Sequence, residues 1–89
     1  MPSYLIISPH TKEECLKCLD HVLAAGYLTH FKWACPEGEH TGYVVLDAEN
    51  KTEALLAVPT FVRDKARVIE LTQFDPEQVR AMHTMKKQG

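Results

Sequence analysis

The chain has 89 residues, with ten Lys and Arg against twelve Asp and Glu and a formal net charge of -2. That length supports one domain, residues 1–89, with a modest core, so help from a partner copy is expected. Interspersed charges of both signs argue against a general polyanion binder, and DNA is not an expected partner. No apolar run approaches the roughly 20 residues that a membrane span needs. The first residues lead directly into Tyr4-Leu5-Ile6-Ile7 without a basic leader, and the expectation is a soluble, cytoplasmic protein. Three cysteines, two of them within one helical segment, fit reduced thiols better than a disulfide framework.

Ser3 to Ser8 reads as a strand whose continuous apolar run suits a central position in a sheet. After Pro9-His10, Thr11 and Glu14 have the spacing of a capping box, and a helix over Lys12 to Ala25 follows, ending at Gly26. Its apolar stripe contains Cys15, Cys18, Leu19, Val22 and Leu23. The Cys15-x-x-Cys18-x-x-His21 series superficially resembles a metal or redox box. Both cysteines share the stripe of Leu19 and Val22, however, and core packing is the better reading.

Leu28 to Cys35 alternates, with Thr29, Phe31 and Trp33 on one side and His30, Lys32 and Ala34 on the other, which suits an edge strand. The acidic segment Cys35-Pro36-Glu37-Gly38-Glu39-His40 then forms a hairpin to a strand over Thr41 to Ala48. Asn50 and Glu53 cap a second helix running through Val58, which Pro59 must end, kink or restart. Arg67 to Thr72 is the last strand, and Asp75-Pro76 opens a short polar C-terminal helix, about 75–85.

This βαββαβ order implies an α+β domain with core 3–73. Its antiparallel sheet has order 4-1-3-2, with two helices on one face. The arrangement resembles the ferredoxin-like fold and, in outline, the dimeric alpha/beta-barrel superfamily. The resemblance implies a homodimer formed through the uncovered sheet face. No catalytic motif of that superfamily can be matched.

In such a topology the exit of the first strand, the hairpin and the start of the last strand share one end of the sheet, gathering His10, Cys35, Glu37, Glu39, His40 and Arg67. Two imidazoles, a thiol and a carboxylate suit zinc or nickel, and His10, Cys35 and His40 are the candidate ligands. His30 and Glu70 are candidate acid/base residues if they ring an inter-subunit cavity with Tyr4, Lys32 and Tyr43. The leading reading is a small dimeric binding protein for a metal ion or small molecule. The alternatives are a cofactor-independent isomerase or oxygenase, and an RNA-binding module with Tyr4 and Tyr43 as stacking aromatics.

Overall fold

The computed structural model describes the backbone of residues 1–88 and the side chains of residues 1–84. Its four strands are β1 (Ser3–Pro9), β2 (Lys32–Trp33), β3 (Thr41–Asp47) and β4 (Arg67–Leu71). They form one sheet in the order β2-β3-β1-β4, which is β4-β1-β3-β2 when read from the other edge. Every neighbouring pair is antiparallel. The helices are α1 (Cys15–Ala24), α2 (Lys51–Ala54) and α3 (Pro76–Gln88), with 3-10 turns at Cys35–Glu37, Leu55–Ala57 and Thr60–Lys65.

Alternation along the strands decides which side chains form the core. In β1, Tyr4, Ile6 and Ser8 are buried, and the register sets them beside Leu46, Val44 and Gly42 of β3. Cys18 and Val22 of α1 cover this face, together with Ala54, Ala57, Val58 and Val62 from the second connection. Leu5, Ile7, Tyr43, Val45, Arg67 and Ile69 therefore occupy the opposite face.

Several expected boundaries are corrected. The edge strand is Lys32–Trp33, not Leu28 to Cys35, because Leu28–His30 form a turn in which His30 and Phe31 N–H groups both donate to the Tyr27 carbonyl. Helix α1 starts at Cys15, because the Thr11–Glu14 pair closes a turn over the preceding residues. The second helix holds α geometry for four residues only. Asn50 caps it by accepting from the Glu53 N–H at 2.8 Å, and Pro59 lies between the two 3-10 turns that replace the rest.

Helix α3 begins with a reciprocal pair in which the Asp75 N–H donates to Gln78 Oε1 and the Gln78 N–H to Asp75 Oδ1, both at 2.8 Å. It extends to Gln88, beyond the expected end near residue 85. All described residues from Leu71 to Thr84 are exposed, so this helix contributes nothing to the core.

Candidate metal centre

Sheet register brings the two histidines together. The β1–β3 pairing ends at Pro9 opposite Thr41, and the next step pairs His10 with His40 through a 3.0 Å bond from the His10 N–H to the His40 carbonyl. His10 is in phase with buried Ser8 and His40 with buried Gly42, so both rings follow the covered face. Their centroids are 5.7 Å apart. Cys35 continues the phase of Phe31 and Trp33 on the adjoining strand and reaches the same face.

The fourth member comes from above the sheet. Cys15 is the first residue of α1, one turn before buried Cys18 and two turns before buried Val22 on the same stripe. Cys18 and Val22 pack on the sheet, whereas Cys15 sits over the hairpin. Its Sγ lies 3.5 Å from Cys35 Sγ, and Cys35 Sγ lies 3.4 Å from His10 Nε2. Ligand atoms of His10, Cys15, Cys35 and His40 all fall within 4.8 Å of one another, an arrangement that could hold a metal ion.

The site is half-shielded: His10 is buried, and Cys15, Cys35 and His40 are half-buried. Burial, reinforced by the neighbouring His40, pulls the pKa of His10 below the ordinary histidine value, favouring the neutral ring that metals bind. Burial and the hydrogen bond to Cys35 push the Cys15 thiol up. The Nδ1 atoms of His10 and His40 are buried without a hydrogen-bond partner.

His10, Cys35 and His40, the expected ligands, thus meet, and Cys15 joins them. Helical periodicity alone places Cys15 in the core, because it shares the stripe of Cys18. Its position at the stripe's first turn, beyond the sheet's end, was the available signal. Glu37 and Glu39 are exposed, and Glu39 accepts a 2.7 Å bond from the Tyr43 hydroxyl. Arg67 pairs with Ile7 on the opposite face and does not join the cluster. Of the Cys15–Cys18–His21 series, Cys18 is core and His21 packs edge-on against Phe61 at 5.0 Å.

The expected cavity forms only in part. His30, Lys32 and Tyr43 line a shallow pocket of about 210 Å³ on the uncovered face, floored by Leu5 and Val45. Tyr4 is not there: it is 4 % exposed and belongs to the core on the covered face. Glu70 pairs with Tyr4 on edge strand β4, so His30 and Glu70 lie on opposite faces and do not ring one cavity. Both corrections follow from strand phase, since even-numbered residues of β1 face the helices. The same phase removes Tyr4 from a stacking surface shared with Tyr43, as RNA recognition would require.

No family model, curated protein or solved structure matches this chain.

Proposed function

We propose that this protein binds a zinc ion through His10, Cys15, Cys35 and His40, and that it acts as a small metal-binding protein. The carrying observation is the convergence of two thiols and two imidazoles from three separate segments into one space less than 5 Å across, with four ligand atoms within 4.8 Å. A tetrahedral zinc with bonds of about 2.0–2.3 Å separates its ligand atoms by roughly 3.3–3.8 Å. The 3.5 Å sulfur–sulfur and 3.4 Å sulfur–nitrogen spacings match that range. Mixed thiolate and imidazole donors favour zinc, whereas nickel would favour a flatter arrangement.

Four protein ligands fill a tetrahedral shell and leave no position for substrate, which supports binding over metal-centred catalysis. A bound ion would tie together the exit of β1, the start of α1 and the turn before β3. Such a tie suits a domain whose core is small. Free thiols fit the reducing cytoplasm.

The element order and the sheet are compatible with a ferredoxin-like domain of the dimeric alpha/beta-barrel type. A specific pattern favours a homodimer through the uncovered face. Lys32 and Arg67 stand at its hairpin end, Leu5, Val45 and Ile69 in the middle, and Asp47 at the other end. A two-fold axis perpendicular to the strands sets the cationic end of one copy against the acidic end of the other.

Elemental analysis and native mass spectrometry of untagged protein test the metal reading. One zinc per chain is expected, lost in His10→Ala and Cys35→Ser and retained in His30→Ala. Substitution with Co(II) should give the visible bands of a tetrahedral thiolate site. A protein that takes up no zinc, or one in which Cys35→Ser leaves the content unchanged, overturns the assignment.

A further inference from the structure

We propose that Cys15 and Cys35 are a redox-active pair that closes to a disulfide within the chain and so expels the bound metal ion. Their sulfurs are 3.5 Å apart, already in van der Waals contact, and a disulfide requires about 2.05 Å. Neither residue is sealed in the core, so a small oxidant has access to both. The third thiol is set apart: Cys18 is 2 % exposed and packs with Val22 among the core residues. Selectivity for the Cys15–Cys35 pair therefore arises from placement.

A hydroperoxide supplies the oxidising equivalents. Attack by one sulfur on the peroxide forms an S–O bond and breaks the O–O bond. The thiol proton leaves with the departing oxygen as alcohol, or as water from hydrogen peroxide. Attack by the second sulfur forms the S–S bond, breaks the S–O bond and releases water carrying the second thiol proton. Two thiols and one hydroperoxide thus become one disulfide, one alcohol and one water.

Expulsion of the ion rests on the zinc reading above. A disulfide removes both thiolates and leaves His10 and His40, too few ligands for a structural zinc site. Metal occupancy acts in the opposite sense, because sulfur lone pairs engaged by the ion are less free to attack peroxide. The loaded protein should oxidise more slowly than the empty one.

The test treats zinc-loaded and zinc-free protein with hydrogen peroxide, followed by intact mass, peptide mapping and a chromogenic zinc indicator. Expected are the loss of two hydrogen masses, a Cys15–Cys35 cross-link, one zinc released per disulfide, and reversal by dithiothreitol. Cys18→Ala should behave likewise, and Cys15→Ser should give no cross-link within the chain. Oxidation to separate sulfinic acids, pairing through Cys18, or cross-links only between chains overturns the proposal. If the protein takes up no zinc yet forms the Cys15–Cys35 cross-link, the metal reading and the expulsion step fall while the thiol pair stands. If it holds zinc and forms no cross-link, the thiol pair falls alone.

Discussion

His10 joins the core to the ligand cluster. Its ring lies 6.0 Å from Trp33 and 5.7 Å from His40, in edge-on contact with each. Trp33 in turn stacks on Phe31 at 5.2 Å and leans over Gly42. A side chain at position 42 would meet Trp33 Cζ3 at 2.8 Å, so the glycine is required by close approach. Gly42→Ala should cost about 1–3 kcal/mol by overpacking and alter the fluorescence of this sole tryptophan, measured by denaturant unfolding and emission spectra. Cys18 gives a pH signature. Burial, and secondarily the charge of Glu14, push its thiol from 9.0 up to about 11. Between those values the unfolded chain has released a proton that the folded chain still holds, so Cys18 makes stability fall as pH rises. The loss through this window amounts to about 2–3 kcal/mol. Cys18→Ala should flatten that alkaline limb in urea titrations from pH 8 to 11, whereas an unchanged slope would assign it to other groups.

At the scale of elements, the turn before α1 determines where Cys15 lies. The Thr11 N–H donates to Glu14 Oε1 at 2.9 Å and the Glu14 N–H donates to Thr11 Oγ1 at 3.1 Å. This reciprocal pair holds the Glu14 carboxyl below its usual range, chiefly through the Thr11 backbone bond. Thr11→Ala should destabilise the fold by about 1 kcal/mol and weaken zinc binding without removing a ligand, measured by competition with a chelating dye. Thr11→Ser should restore both. The second connection shows how an element departs from its sequence pattern. Its cap forms at Asn50, yet α geometry stops at Ala54, and the carbonyl of Val58 is met by Arg63 Nε at 3.1 Å and Nη2 at 2.8 Å. Arg63 therefore serves the chain's own backbone. Lys65 instead approaches Glu14 at 3.9 Å.

For the whole molecule, the uncovered sheet face is the largest unresolved physical demand. Val45 is 58 % exposed beside Leu5 and Ile69 in the middle of the sheet. Contiguous apolar surface of this kind marks contact sites. Light scattering after size exclusion should report a dimer that Val45→Asp converts to monomer, and the proposed zinc uptake should be unchanged because His10, Cys15, Cys35 and His40 lie on the other face. A wild-type monomer would sink the homodimer and leave this surface for a different partner. Helix α3 adds exposed Val79 and Met82 next to exposed Phe74, and these remain outside the fold's own core.

Local patterns in the chain determined a good deal. Strand hydrophobicity and element order were enough for an antiparallel α+β sheet with β1 and β3 at its centre, because each strand's apolar period is a local property. The convergence of His10, Cys35 and His40 was legible for the same reason, since topology alone brings the end of β1 beside the start of β3. Cys15 was not legible, because periodicity places a residue on a face of its helix and says nothing of what lies beneath that turn. Tyr4 and Glu70 depended on strand phase: one position of shift moves a side chain to the other face, and only the paired register of β1 with β3 and β4 decides it. Topology gathered metal-capable residues near the hairpin, and tertiary packing added Cys15 to them by setting the first turn of α1 over the sheet's end.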